Sequence, residues 1–571
     1  MRHLPVLPPV KPLCCAVTAP LALAAWLCST AAYAQAVPST VDPGQMNQRM
    51  DRKRTPSAAP QIVIEPDGDK VKAAPGSTEK LFTLKRVSVD GVTVYNESQL
   101  AAAYASYVGK EVTFADLQAI ARALTAMYRN DGYILSRVVL KPQKVQSGEV
   151  ELQAHEGYVN QVHFSGEMPA DSTLLRAYAD RITAERPLNA KTLERYLLLM
   201  DDLPGITARG VLNASSAEKG ASDLNVKIEN KAFEGSLGAD NRGNHFVGPY
   251  QLTGVAAFNN TLGMFDRTTG RIISDAEFDE LLFGDVLHEQ QIGTDGDQLT
   301  LHAAANRIRP SGRLKSLDIQ GNTRLIDIGY AHHYLRSREA NLRLDTQFRM
   351  QNTKNDILGI EQFEDDIRHV SAGLEFDASD SWKGINQLEA SVTQGLDILG
   401  ASSDGAGRSR VRANHEFTRY NASGSRLQNL TDQAAIFGAF IGQYSQDSLL
   451  TSTQFGFGGD AFGRAYDGSE LLGDSGLAGS VELRYSITPD DQSLINTYQL
   501  YSFYDIGAVW LQEPLVGEQN RESASSAGLG VRFNLMNDMS GSLEFALPLT
   551  RDVASEQDRG GRAFFNVIKR F

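Results

Sequence analysis

The chain has 571 residues, of which 42% are hydrophobic and 22% charged, and carries a formal net charge of −14. That length accommodates several domains. An acidic balance of this size argues against nucleic-acid binding, which neutralises phosphates with an excess of lysine and arginine.

At the N-terminus, Arg2 and Lys11 precede an apolar stretch from Leu13 to Leu27, followed by Ala32-Tyr33-Ala34. A basic start, a short apolar centre and a small-x-small end make a secretory signal peptide, expected over residues 1–34 with cleavage after Ala34. Pro20 interrupts the apolar run, which falls short of the roughly 20 residues a spanning helix needs. All three cysteines, Cys14, Cys15 and Cys28, lie in this segment. Its removal would take the formal charge to −16 and leave no thiol, so stability must come from a large core or a closed sheet rather than from disulfides.

Residues 35–79 are rich in Pro, Ser, Asp and Lys and read as a linker. Within it, Asp42 to Arg54 is a candidate short helix, with Asp42 as N-cap and Pro43 at the first helical position. Its large apolar residues, Met46 and Met50, share one face of an otherwise polar segment. Such a helix has little to bury, and would be stable only in a polar cavity or on binding; plain disorder is the other reading.

From Leu81 the pattern becomes that of a small folded unit, expected over residues 80–157. A strand at Phe82–Val89 ends at Asp90-Gly91. Helices follow at Glu97–Tyr107 and Phe114–Asn130, then strands at Ile134–Leu140 and Glu149–Ala154. The order recurs over 158–231, with a strand at Val159–Phe164, helices at Ser172–Ile182 and Ala190–Asp201, and strands near Thr207–Leu212 and Asp223–Glu229. The two units are an internal repeat of one α+β architecture.

After Lys231 helical periodicity nearly vanishes and alternation takes over. In Asn341–Gln351, Leu342, Leu344, Thr346, Phe348 and Met350 face one way, and Arg343, Asp345, Gln347 and Arg349 the other. A soluble sandwich also alternates, but these 340 residues are many for one, and the polar faces are heavily charged. A transmembrane β-barrel over 232–571 explains both features, with strands of roughly 9–11 residues and near 16 antiparallel strands in all. The chain ends in Phe571, with Phe565 and Val567 on one strand face.

This organisation resembles the two-partner secretion transporters of the outer membrane, over nearly the whole chain beyond residue 34. The segment Asp42–Arg54 looks like the family's plug helix, and the tandem units look like its polypeptide-transport-associated (POTRA) domains. Leu193-Glu194-Arg195-Tyr196-Leu197-Leu198-Leu199-Met200-Asp201-Asp202-Leu203-Pro204-Gly205-Ile206 is similar to a stretch of the second such domain, and Gly238-Ala239-Asp240-Asn241-Arg242-Gly243 to the first barrel strand. The most specific piece is Phe455-Gly456-Phe457-Gly458-Gly459 leading into Gly463-Arg464-Ala465-Tyr466. In the family an inward-folded loop carries Val-Arg-Gly-Phe/Tyr at its tip; Arg464 and Tyr466 match, while Gly463 and Ala465 depart. Phe503-Tyr504-Asp505 matches the family's aromatic-x-Asp, and alternation puts Phe503 and Asp505 on one face.

The resemblance implies that Arg464 pairs with Asp505 in the lumen, an arrangement suited to a guanidinium that grips a carboxylate at two points. It implies an outer-membrane location with the POTRA domains in the periplasm. It also implies an unfolded secreted cargo polypeptide as partner, with outer-membrane lipid, periplasmic chaperones and the barrel assembly machinery as further partners, and no nucleic acid. No catalytic residue, metal or cofactor is expected, and no phosphate-cradling loop is present. Two other readings fit the barrel, a passive diffusion porin and an insertase for barrel proteins; the first leaves the tandem units unexplained and the second usually carries more of them.

Three further patterns read as ordinary structure. Gly473-Asp474-Ser475-Gly476 has the residues of a serine nucleophile loop without a His/Asp arrangement, and is expected as a plain loop before a strand at Leu477. His332 and His333 are strand neighbours pointing to opposite faces. The acidic stretch Asp275–Asp285 lacks calcium-ligand spacing and is expected as a solvated loop.

Overall fold

The computed structural model describes residues 38–50, 79–145, 147–215, 220–402, 407–489, 495–535 and 538–571. The expected signal peptide and the part of the linker from 51 to 78 lie outside the described residues.

In the first small unit the strand expected at Phe82–Val89 is two strands, Lys80–Thr83 and Arg86–Asp90. Leu84 is fully buried between them. Its N–H donates to the Lys110 carbonyl at 2.9 Å and its own carbonyl accepts from Gly109 at 2.8 Å. The chain therefore changes partner at this point. Lys80–Thr83 pairs antiparallel with Glu111–Thr113, whereas Arg86–Asp90 runs parallel to Glu149–His155, which pairs on its other side with Arg137–Leu140. The helix expected at Glu97–Tyr107 ends at Ala101 and gives way to a tighter turn at Ala105–Tyr107, with Leu100 and Tyr104 both turned into the core.

Helix Phe114–Asn130 starts at a reciprocal cap between Thr113 and Asp116, which satisfies two otherwise orphaned N–H groups. It ends where Gly132 takes φ 92°, with the Tyr133 N–H bonded back to the Tyr128 carbonyl at 2.9 Å, a left-handed stop that glycine adopts without a Cβ clash. Leu117, Ile120, Leu124 and Tyr128 line its buried face. Burial, and then a 2.8 Å hydrogen bond to Glu156, push the Tyr128 phenol well above its ordinary range, so it stays a neutral donor.

The second unit repeats the layout. Strand Tyr158–Gly166 lies parallel to Ala221–Asn230, which pairs antiparallel with Ile206–Ala214, and helices Thr173–Ala184 and Ala190–Asp201 cover the sheet. Leu175, Ile182, Leu193, Leu197, Met200 and Val226 form its core.

Among the described residues no helix is long and apolar enough to cross a membrane. Crossing falls to strands. Sixteen of them, from Phe233–Asp240 to Arg562–Arg570, form one closed antiparallel barrel, as the alternation predicted. Strand Ile495–Trp510 shows the two faces: Leu500, Tyr504 and Ile506 are exposed on the outside, whereas Tyr501, Phe503 and Asp505 are buried inside. Several strands are far longer than expected. Gln320–Arg336, Ala340–Ile357 and Ile360–Ser379 have 17, 18 and 20 residues, which at roughly 3.3 Å per residue exceeds what a tilted strand needs to cross a bilayer. Their far ends stand clear as a rim, onto which the loop after Gly395 is laid through Leu396 N–H to Arg368 O and Ser402 N–H to Asp366 O, at 2.8 and 2.9 Å.

The acidic stretch Asp275–Asp285 is not a solvated loop. Asp275 closes strand Asp266–Asp275 and accepts from the N–H groups of Glu277, Glu280 and Leu281. Asp285 sits inside strand Leu281–Ile292, buried against Arg271 and His302. The charges that suggested solvent are an inward strand face and a turn that caps its own backbone.

The second small unit is seated on the near end of the barrel. Phe265, in the turn after the second barrel strand, inserts into that unit's core. Arg336 grips Asp202 with two hydrogen bonds of 2.7 Å. Arg195 donates to the carbonyls of Asp295 and His333 at 2.9 and 3.0 Å. Thus the stretch Leu193–Ile206 provides both core and docking face. Removing one partner of a buried pair costs about 3–5 kcal/mol, and less here because Asp202 retains some solvent. D202A is expected to loosen this seat, read as faster protease cleavage between residues 231 and 233 with the barrel still migrating as a folded band on unheated gels; unchanged cleavage would show that the pair does not hold the unit.

Candidate functional site

Among the described residues, two inserted pieces of chain occupy the lumen. The first is helix Pro43–Met50. Asp42 caps its start, accepting from Gln45 N–H at 2.9 Å. At its other end the Met50 carbonyl accepts from Arg271, a cation placed at the negative end of the helix dipole. Asn306 holds the Pro43 carbonyl at 2.8 Å and Asn244 the Thr40 carbonyl at 3.1 Å. Met46 is buried among Phe283, Ile308 and Leu325 of the wall.

The second piece is the loop between strands Ala434–Ser445 and Ser475–Ile487, which folds into the barrel as a small hairpin, Phe455–Phe457 against Leu471–Gly473. Its tip brings Arg464 against Asp505. The Arg464 Nε and Nη2 donate to the two carboxylate oxygens at 3.0 and 2.8 Å. Asp505 also accepts from the backbone N–H groups of Gly463 and Arg464, at 3.1 and 3.0 Å. The guanidinium lies 3.5 Å from the Phe503 ring centroid, in cation–π contact. Arg464 is 4% exposed and Asp505 0%.

Gly463 takes φ 78°, and a Cβ there would meet the Phe457 ring at 2.7 Å. A valine, as the family's motif has at this place, would be strained in both respects, so the departure at Gly463 belongs to this tip's own conformation. Ala465 is fully buried, and its carbonyl accepts from Arg562 at 3.0 Å. Tyr466 is buried against Phe457 and donates to the Ser525 carbonyl at 3.0 Å. Phe571 lies apart from this cluster. Its main-chain N–H donates to the Gly235 carbonyl at 2.9 Å, joining the chain's end to the first barrel strand.

Residues that the sequence reading missed complete the knot. Glu482 accepts from Arg464, Arg484 and Arg532 at 2.5, 2.7 and 2.9 Å. Ser480 accepts from Arg464 at 2.9 Å. Glu544 accepts from Tyr501 at 2.8 Å and from Arg242 at 2.6 Å. The signal was present in the alternation: Ser480, Glu482 and Arg484 share one strand face, and antiparallel pairing sets Ser480 opposite Asp505 and Glu482 opposite Phe503. What strand alternation does not give is which strands are neighbours and in what register.

Asp474 and Ser475 do other work than a nucleophile loop would. Asp474 is fully buried and accepts from Arg410 and from the N–H groups of Leu449 and Gln512. Ser475 starts a barrel strand and donates to the Ser445 carbonyl at 3.1 Å. Among the described residues no group of His, Cys, Asp and Glu is placed to hold a metal.

This is a membrane barrel with tandem α+β units at one mouth and a helix and a loop of its own chain inside the lumen. Known proteins are similar in sequence and in fold. Residues 82–157 match the ShlB-type POTRA domain, and residues 220–533, more than half of the chain, match the haemolysin secretion/activation protein ShlB/FhaC/HecB family. The chain is 23% identical over 558 residues to the heme/hemopexin transporter protein HuxB of Haemophilus influenzae (strain 86-028NP), covering 93% of this chain and 95% of that one. It is 24% identical over 456 residues to the outer membrane transporter CdiB of Escherichia coli, covering 77% and 74%. The solved structure of CdiB from Escherichia coli superposes with a TM-score of 0.71 at 20% identity, over 90% of this chain and 94% of that one.

The protein belongs to the haemolysin secretion/activation protein ShlB/FhaC/HecB family. It is an outer-membrane transporter of the two-partner secretion type, with its POTRA units in the periplasm.

If the Arg464–Asp505 pair seats the loop, R464A leaves the buried Asp505 carboxylate without its cation, at a cost of about 3–5 kcal/mol. The expected outcome is a loop that leaves its seat, read as protease sensitivity near residues 458–466 and several-fold lower export. R464K keeps the charge but loses the two-point grip and should fall between. Equal behaviour of R464K and wild type would show that charge alone is used.

Proposed function

We propose that the plug helix and the inward loop close the lumen at rest, and that an unfolded secreted partner displaces them on its way out. The observation that carries this reading is the polarity of the plug's seat. Helix Pro43–Met50 and the residues leading into it are held by side-chain hydrogen bonds from Asn244, Arg271, Asn306 and Ser469, with Met46 and Val41 as the fully buried apolar side chains. Each such bond contributes about 0.5–1.5 kcal/mol net because water replaces it on release. A few of them make a seat strong enough to hold and weak enough to be undone by a binding partner.

The partner would meet the transporter first at the POTRA sheets. Strand Tyr158–Gly166 is at the edge of its sheet, bonded on one side to Ala221–Asn230. An edge of this kind takes an added strand through main-chain hydrogen bonds, independent of the partner's exact sequence. Folding of the partner outside the cell then makes the passage directional, and no catalytic step is called for. Before insertion the transporter would itself be carried by periplasmic chaperones to the barrel assembly machinery, its outer apolar belt ending in lipid.

Expression of the full chain beside its genetically neighbouring secreted protein tests this reading. The partner should reach the medium only when the transporter is present. Q45L with N306A should raise single-channel conductance in planar bilayers several-fold while export continues. Solute uptake without any polypeptide export would instead favour a diffusion porin.

A further inference from the structure

Below the Arg464 knot, on the POTRA-facing half of the lumen, the wall built by the last five strands encloses a recess of about 520 Å³. Apart from Arg532, its described lining is uncharged. Ser486, Gln499, Asn534, Ser540, Ser542 and Asn566 contribute hydroxyl and amide groups, and among the described residues no carboxylate lines it. Arg532 forms the roof, engaged with Glu482 and with Gln499 at 3.0 Å. Arg570 reaches Ser540 at the rim, at 3.0 Å. Toward the same ends of their strands, other sectors of the barrel carry ion pairs, Arg267 with Glu234 and Arg343 with Asp345. Ser542 and Asn566 are only partly buried, so water reaches them.

Amides and hydroxyls offer donors and acceptors together. They match the alternating N–H and C=O groups of an extended chain, and they exchange with water at little net cost. A lining of charges would instead discriminate among side chains and hold opposite ones. We propose that this recess is the entry surface for the secreted partner, binding the main chain of an extended segment free of lysine and arginine, which the two arginines at roof and rim would repel. A chain lying there has the Arg464 tip directly above it, so its advance bears on the loop that must move. The proposal rests on the reading of the protein as a polypeptide exporter and adds where and how the cargo is held.

The sequence contains no cysteine after Cys28, which permits a clean test in the full-length transporter co-expressed with its neighbouring partner. Single cysteines at Ser542 and Asn534, and as control at Gln347 on a distant strand, would be oxidised against cargo derivatives carrying single cysteines and stalled by a folded C-terminal domain. Disulfide-linked cargo is expected at S542C and N534C, at least tenfold above Q347C, with the adduct identified by mass spectrometry. Adducts equal at all three positions, or confined to Q347C, would overturn the entry surface while leaving export intact. Loss of export from the unmodified transporter would instead strike the functional reading itself. As a second measure, cargo with four lysines placed in the cross-linking segment should be exported several-fold more slowly by the wild type; an unchanged rate would contradict the stated preference.

Discussion

The structure depends on one constraint: a backbone in lipid finds no water, so every strand N–H and C=O within the bilayer must be satisfied by another strand. A sheet with a free edge fails that demand, and the chain meets it by bringing its last strand back to its first. Arg562–Arg570 pairs with Phe233–Asp240 over five positions, from Asn566 opposite Asp240 to Arg570 opposite Ser236. The Phe571 main chain then adds its bonds to Gly235. Closure also sets the two faces. A residue such as Leu500 or Ile506 that points out must tolerate hydrocarbon, and one such as Asp505 that points in must tolerate water or find a counter-charge.

Because the inside is polar, it cannot be filled as a soluble protein fills its core. The wall charges neutralise one another in place. Arg271 holds Asp285, Arg349 holds Asp327, and His302 bridges the two carboxylates at 3.1 and 2.9 Å. Around the inserted loop the balance is four arginines, Arg242, Arg464, Arg484 and Arg532, against Asp505, Glu482 and Glu544. Such pairs lose much of their hydration and gain it back on separation, so their net contribution is smaller than their geometry implies. Their use is to fix one arrangement of loop and wall.

The barrel was legible because its cause is periodic. Alternation in Asn341–Gln351 carries the same message as the folded strand Ala340–Ile357, with Arg349 facing in toward Asp327. The helix at Phe114–Asn130 was legible to the residue, since Thr113 and Gly132 mark its ends chemically. What escaped was set by partners distant in sequence. The break at Leu84 follows from a bond to Lys110, and the place of Asp285 from the register of the two strands beside it, which brings Arg271 and His302 to it. Arg464 and Asp505 were singled out by their resemblance to a motif, and the structure puts them in contact; Glu482 and Glu544 carry no such motif and depend on register alone. Strand length was misjudged for a different reason: hydrophobic thickness limits the part in lipid, not the part that stands above it.

The two lumen inserts are not independent. Gln45 donates to the carbonyls of Thr451 and Gln454 in one limb of the loop, at 2.5 and 3.3 Å, and accepts from Ser469 in the other, at 2.9 Å. Gly44 leaves no room for a side chain against Ser452, and Gly468 leaves none against Arg49. One face of the helix is thus clasped between the two limbs of the loop whose tip carries Arg464. Withdrawing the helix breaks bonds to both limbs, and spreading the limbs unseats the helix. Neither can leave without loosening the other, so helix and loop are coupled through Gln45. That coupling suits a polar lumen, where neutral hydrogen bonds contribute about 0.5–1.5 kcal/mol each and hold the helix jointly.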